Sequence, residues 1–288
     1  MIELHKDIFC KGRFILKKAI IVANTLKSSS VEFAEKAKCF LEEKGYQIQI
    51  HNDADAPFSD AEFVIVLGGD GTILRAAKKL YGIDAPIFGI NFGHLGYLSA
   101  AGQEDAIEGI ERLIEGKYTV EERLMLKGEV VREGKCVCDF ISLNEASVYR
   151  STLMHALALD VMINTKHTEI IYGDGVIIAT PTGSTSYNLS AGGPVLTPTS
   201  NSIVITPVSP RYFPRSSIVT DGGDETEIRI NFETINETGA PCVEVDGDLR
   251  FALQNDDLIK IKRAEKTAKI IKITDESFYQ ILRKKLSN

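Results

Sequence analysis

Near residue 116 the sequence changes its pattern, and that change constrains the fold more than any other feature. From Lys18 to Gly116, short apolar runs alternate with helix-patterned segments. Ala19-Ile-Ile-Val-Ala is a continuous apolar run, as expected for a strand buried on both faces. Ser28, Ser29 and Ser30 offer N-caps to a helix over 31–44, where Phe33, Ala37, Phe40 and Leu41 share one face, and Gly45 marks its end. Gln47-Ile-Gln-Ile, Phe63-Val-Ile-Val-Leu and Ile87-Phe-Gly-Ile read as further strands, with helices predicted over 73–81 and 104–115. Strand and helix in alternation is the pattern of a parallel sheet with helices on its faces.

After residue 116 helical periodicity nearly vanishes. β-rich segments follow at 124–131, 136–143, 156–163, 203–208, 227–232, 243–246, 257–263 and 267–273, and the tail over 275–286 reads as a helix ending in Arg-Lys-Lys. Seven of the nine prolines lie in this half (Pro181, Pro194, Pro198, Pro207, Pro210, Pro214 and Pro241), where they oppose long helices. Strands at this spacing predict a sandwich-like β domain. The 288 residues suit about two domains, divided near residue 116.

Lys and Arg number 33 against 40 Asp and Glu, a net charge of −7, which argues against a broad grip on nucleic acid or an anionic membrane. Apolar runs such as 63–67 and 176–179 are too short to span a bilayer, and the first eighteen residues carry charges throughout, so no signal peptide is expected. Cys10, Cys39, Cys136, Cys138 and Cys242 form no CxxC or zinc-spaced set, which predicts reduced thiols and a cytoplasmic protein. Cys136 and Cys138 are expected on one sheet face.

Three segments carry chemistry. In the first, a buried strand runs straight into Gly68-Gly69-Asp70-Gly71-Thr72 and a helix starts at once. Glycines there permit positive φ and bring bare N–H groups towards a ligand, and the positive end of the helix favours phosphate. The competing reading is a tight strand-to-helix turn with Asp70 as a helix cap. A carboxylate repels phosphate, so its presence suits a group that accepts a hydroxyl proton or helps hold Mg²⁺, both roles in phosphoryl transfer. The second segment, Tyr172 to Pro194, places Asp174-Gly175 before a short apolar strand and then a hydroxyl-rich turn over 180–190. Those hydroxyls suit adenine, ribose or phosphate, or else bond their own backbone. The third, Leu143-Asn144-Glu145-Ala146, sets an amide beside a carboxylate, a pair suited to ribose hydroxyls.

The order GGDGT, NFGHLGYL over 91–98, LNE, and then DGVIIATPTGSTSYNLSAGGP closely resembles the NAD kinase family. The glycine turn alone is shared with phosphofructokinases and with diacylglycerol and sphingosine kinases; the long last motif is specific. The resemblance implies an α/β plus β fold. A Rossmann-like α/β domain would occupy 1–116 and a β-sandwich 117–265, while a strand and helix over 266–288 return to the first domain. It also implies phosphorylation of NAD to NADP by ATP or polyphosphate, a divalent metal such as Mg²⁺, and assembly as a homodimer or homotetramer.

By the same resemblance, Asp70 is the proton acceptor near the adenosine ribose 2′-hydroxyl, Gly71 and Arg75 line the NAD diphosphate, and Gly68, Gly69, Gly71 and Thr72 form the phosphate-donor loop. Asn144 and Glu145 match the ribose- and adenine-side pair, and Asp174 matches a residue at the nicotinamide end that in some members reaches across a subunit boundary. Thr182, Thr185, Ser186, Tyr187, Asn188 and Ser190 fall where the family wraps the adenosine. His155 and Asp248 align with less marked contact positions, and His94 lies in the family's glycine-rich loop. Tyr172 stands where many bacterial members have Arg, and Arg211 and Arg215 stand in a stretch that departs from the family's Pro-His-x-Leu-Ser-x-Arg-Pro. The competing functions are a lipid or sugar kinase sharing the glycine turn, and a dinucleotide sensor without turnover.

Overall fold

Apolar runs buried on both faces form the middle of the first sheet in the computed structural model, which describes residues 17–52, 60–93, 96–150, 157–212, 215–231 and 240–287. Its seven strands include Tyr46–Asn52, Lys17–Ala23, Phe63–Leu67, Ile87–Asn91, Ala268–Lys272 and Thr119–Arg123 in that spatial order, with Ala101–Gly102 beside Ile87–Asn91. All pair in parallel except Thr119–Arg123, which runs antiparallel to Ala268–Lys272. The helices Ser28–Glu43 and Ala106–Ile114 cover one face, where Ala34, Ala37, Leu41, Ile110 and Leu113 pack on Ile21, Ile65 and Phe88. On the other face, Ile73, Leu74, Ala76 and Ala77 of the helix Asp70–Lys79 join Met125 and Leu143, so one core spans the sheet and the second half of the chain.

That second half forms two six-stranded antiparallel sheets. One runs Lys166–Gly173, Leu157–Ile163, Thr226–Asn231, Leu258–Arg263, Leu126–Arg132 and Lys135–Ser142. The other runs Ile218–Asp221, Ser202–Val208, Gly175–Ala179, Glu145–Tyr149, Cys242–Val245 and Leu249–Ala252. Inward residues of both, among them Val130, Phe140, Leu159 and Ile228 from the first and Val148, Val176, Ile205 and Val243 from the second, share one core. This is the face-to-face packing of a sandwich.

Several local expectations change. The first helix begins at Ser28 after Lys27 and has no side-chain cap. Ser30 instead donates to Leu67 O at 2.7 Å and accepts from Asn24 N–H at 3.2 Å, fastening the first strand-to-helix turn to the end of Phe63–Leu67. Gly45 does terminate that helix, at φ +86°. Thr119–Arg123, which follows the residue-116 boundary, completes the first sheet rather than the sandwich. Cys136 and Cys138 face opposite ways: a bulge pairs them with neighbouring residues Val131 and Val130, and consecutive residues of a strand alternate faces. Cys138 packs on the sandwich core and Cys136 is exposed; with Cys39 and Cys242 they are free thiols among the described residues, and Cys10 lies outside them.

Candidate active site

The glycine turn ends Phe63–Leu67 at the carboxyl edge of the parallel sheet, where ligands of such folds bind. None of its glycines adopts positive φ; Gly69 has φ −94°. Their smallness serves closeness and openness instead. A Cβ at Gly68 would lie 2.5 Å from Thr72 Oγ1, whereas one at Gly69 would meet nothing within 4 Å and one at Gly71 only Arg75, at 3.7 Å. The turn therefore leaves room directly above the helix start.

Asp70 is the first residue of its helix and does not cap it. Its carboxylate accepts from Tyr97 N–H at 2.9 Å and Leu98 N–H at 3.3 Å, tying the 91–98 loop to the glycine turn. Gly96 packs so tightly there that a Cβ would fall 1.8 Å from Asp70 Oδ1. Lys27 holds the other end of that loop by donating to Phe92 O at 2.7 Å. His94 and His155 lie outside the described residues.

A cavity of about 260 Å³ opens between the glycine-turn helix and the sandwich. Leu74, Asn144, Glu145, Ser147, Ser186, Tyr187, Glu244, Asp246 and Gly247 line it. Four of the residues singled out from sequence thus meet in one place: Asn144, Glu145, Ser186 and Tyr187. Glu145 is buried, accepts from Ser186 Oγ at 3.4 Å on one oxygen, and has no partner for Oε2 among the described residues. Burial first and the Asp246 carboxylate second push its pKa up to about 8. Burial, with the charges of Asp174, Glu244 and Glu145, likewise raises the Tyr187 phenol.

Asp246 was not singled out from sequence, yet it shapes this cavity. Its carboxylate accepts from Ser142 Oγ at 2.7 Å, Leu143 N at 3.0 Å, Asn144 N at 2.9 Å and Glu145 N at 3.1 Å. It sits in a turn at φ +50°, a conformation non-glycine residues adopt rarely, and Asp more readily than most. The only advance signal was the Asp246-Gly247 turn dipeptide. Nearby, Asp248 pairs with Lys78 at 2.9 Å and Arg75 at 4.0 Å, joining the glycine-turn helix to the sandwich.

The hydroxyl-rich turn divides its work. Thr180 donates to Leu143 O at 2.6 Å, Ser184 to Pro181 O at 2.7 Å and Thr185 to Thr182 O at 3.3 Å, so these hydroxyls bond local or neighbouring backbone. Asn188, expected at the adenosine, is fully buried and committed inside the turn: its amide donates to Ser184 O and Pro194 O and accepts from Thr206 Oγ1. Ser186 and Tyr187 face the cavity, Ser190 is exposed outside its lining, and Gly183 packs so closely that a Cβ would lie 2.2 Å from Asn144 O. Asp174 pairs with Arg150 at 2.6 Å. Tyr172 meets the ring of Tyr212 edge-on at 6.0 Å, with Arg211 N–H donating to Tyr172 O; Arg211 and Arg215 are exposed. Among the described residues no three His, Cys, Asp or Glu gather as a metal cage.

Comparison with known proteins places this geometry in context. Residues 56–118 match the model of the ATP-NAD kinase N-terminal domain, and residues 143–273 match that of the ATP-NAD kinase C-terminal domain. The NAD kinase of Lachnoclostridium phytofermentans is 34% identical over 284 residues, covering 95% of this chain and 100% of that protein. Among solved structures, an NAD kinase from Archaeoglobus fulgidus in complex with ATP superposes with a TM-score of 0.72 at 25% identity, covering 94% of this chain and 98% of the other. Yeast NADH kinase complexed with NADH shares the fold, with a TM-score of 0.85 at 20% identity over 94% of this chain and 88% of the other.

Proposed function

The chain belongs to the NAD kinase family, and from that premise we propose how its residues divide the work of phosphorylating NAD. The enzyme is a phosphotransferase with an alcohol acceptor and ATP as donor. The ribose 2′-hydroxyl oxygen attacks the γ-phosphorus, the bond to the departing ADP breaks, and the hydroxyl proton passes to a carboxylate. Such transfers rest mostly on positioning and charge stabilisation.

The observation that carries the reading is the convergence of Asn144, Glu145, Ser186 and Tyr187 with Leu74 of the glycine-turn helix on one interdomain cavity. We assign the adenosine to this cavity. Tyr187 offers a half-exposed ring for stacking, Asn144 an amide, and Glu145 a mostly protonated carboxyl at neutral pH that can both donate and accept. The unpartnered Oε2 of Glu145 supports a polar guest, because a buried oxygen without a partner costs free energy. Asp70 is the proton acceptor in this proposal. A carboxylate is a weak base for an alcohol, so it orients the hydroxyl and takes the proton late. Gly68, Gly69, Gly71 and Thr72 accommodate phosphate, with Arg75 beside the diphosphate. Asp174 serves the nicotinamide end.

Mg²⁺ fits this donor set as a phosphate-borne ion, since Mg²⁺ is usually held by one or two carboxylates plus substrate phosphates. Asp70 is the carboxylate that would share it, and the ion would neutralise phosphate charge. We also propose polyphosphate as an alternative donor, self-association as a dimer or tetramer, and a cytoplasmic location. Exposed Tyr172, on the edge strand Lys166–Gly173, and Tyr212 packed against it support the self-association. Among the described residues no helix is long and apolar enough to cross a membrane. Incubation with NAD, Mg²⁺ and either ATP or polyphosphate, read with an NADP-specific dehydrogenase, tests the function. NAD binding without NADP formation from either donor would mark a sensor instead.

A further inference from the structure

Two cations on the sandwich-facing side of the first sheet have no part in the reading above. Arg123, at the end of Thr119–Arg123, is only 4% exposed. A buried guanidinium is normally paired on all its edges. Arg123 donates to Glu121 on its own strand and, at 3.5 Å, to Thr182 Oγ1 in the hydroxyl-rich turn, while its Nε has no partner among the described residues. Lys272 ends Ala268–Lys272, the strand next to Ile87–Asn91, and so stands at the carboxyl edge of the sheet with the glycine turn and the 91–98 loop. It donates a long 3.5 Å bond to Tyr97 O, the residue whose N–H holds Asp70.

Thr119, Glu121 and Arg123 lie opposite Lys272, Ile270 and Ala268 in the antiparallel pairing, so all point to the same face. Arg123 folds back along its strand to reach Glu121, which brings the guanidinium towards Lys272. Burial first and the Arg123 charge second lower the Lys272 pKa to about 8, against the opposing pull of Glu121 and Asp70. Two like charges brought close, one of them buried and the other half-buried, are unfavourable. A polyanion between them would reverse the sign of that interaction.

We propose that Lys272 and Arg123 form the anion-holding floor of the phosphoryl-donor subsite, between Asp70 and the Thr182 turn. The ligand class is a triphosphate or longer polyphosphate chain. Lys272 meets it on the Asp70 side, as a mobile point charge, and Arg123 meets it under Thr182 through the N–H groups its neighbours leave open. The proposal rests on the NAD kinase reading and adds to it the residues that hold the donor in a chain whose net charge is −7.

The test compares the parent enzyme with Lys272→Met and Lys272→Arg, measuring KM for ATP and for NAD separately, thermal midpoint at pH 7, and calorimetric binding of inorganic tripolyphosphate with Mg²⁺. Lys272→Met is expected to raise KM for ATP and the tripolyphosphate Kd about tenfold or more, leave KM for NAD within twofold, and keep or raise the thermal midpoint. A residue with a merely structural role would lower the midpoint and spare the donor selectively. Lys272→Arg is expected to recover most of the donor affinity. Arg123→Lys, which keeps the charge but loses the fork, is expected to weaken tripolyphosphate with no change for NAD. Unchanged tripolyphosphate affinity in Lys272→Met, or equal losses for ATP and NAD, overturns the proposal. A parent enzyme that forms no NADP overturns the NAD kinase reading instead, and tripolyphosphate binding then still decides whether the anion floor exists.

Discussion

Replacing Asp246 by Asn keeps the volume of the side chain and removes its charge. The folded carboxylate has no solvent exposure, and its Oδ1 accepts from Ser142 Oγ, Asn144 N and Glu145 N while Oδ2 accepts from Leu143 N. An amide offers one oxygen. If that oxygen takes the Oδ1 position, its NH₂ confronts the Leu143 N–H, donor against donor. An orphaned buried donor costs about 1–3 kcal/mol, and charge-assisted bonds are roughly twice as strong as the neutral ones that replace them. Together these give a loss on the order of 3–5 kcal/mol, a large part of the roughly 5–15 kcal/mol by which proteins are stable. Urea unfolding followed by far-UV circular dichroism measures it, since the chain has no Trp to report by fluorescence. The midpoint should fall with the slope unchanged. Because the Asp246 charge helps raise Glu145, the same variant should let Glu145 ionise at a lower pH. A loss below about 1 kcal/mol would refute the view that this carboxylate builds the Asn144–Glu145 turn.

Glu145→Gln removes a titration. The folded pKa stands near 8 against an ordinary 4.5, so the contribution of Glu145 is fully present below about pH 4.5 and is lost as pH rises towards 8. The Gln variant should flatten the stability profile across that window and be more stable at pH 8 by on the order of 4 kcal/mol; thermal midpoints that track the parent at every pH would contradict this. Asp70→Asn should lower kcat by about two orders of magnitude or more while NAD binding survives, as titration calorimetry can establish. A fully active variant sinks the assignment. Gly96→Ala drives a methyl into the Asp70 carboxylate, and a displacement of that size should cost about 100-fold in kcat. Wild-type turnover in that variant would show that the loop gives way without moving Asp70.

The central strands were legible because burial on both faces writes an unbroken apolar run, as in Phe63–Leu67. Edge strands write much less. Lys166–Gly173 and Leu249–Ala252 are largely exposed and carry no alternation strong enough to stand out. Among the site residues, Asn144, Glu145, Ser186 and Tyr187 were found through motif resemblance and do share a cavity. Asn188 belongs to the same motif but serves the turn that presents its neighbours. Asp246 was missed because its meaning lies in donors about a hundred positions earlier in the chain. Arg123 and Lys272 were missed because Thr-Val-Glu-Glu-Arg and Ala-Lys-Ile-Ile-Lys look like half-solvated strands until the sandwich covers one face.

The position of Ala268–Lys272 sets the order of events during synthesis. It lies between Ile87–Asn91 and Thr119–Arg123, so those two strands cannot be joined until a segment roughly 145 residues beyond Arg123 has been made. At about 5–20 residues per second, a ribosome needs on the order of ten to thirty seconds to supply it. Throughout that interval the sandwich is being completed beside a first sheet whose edge at Ile87–Asn91, covered only at Ile90 and Asn91 by Ala101–Gly102, is a template for wrong pairing. Ala268–Lys272, the last strand among the described residues, then closes the gap and brings Lys272 to the sheet edge that carries Asp70.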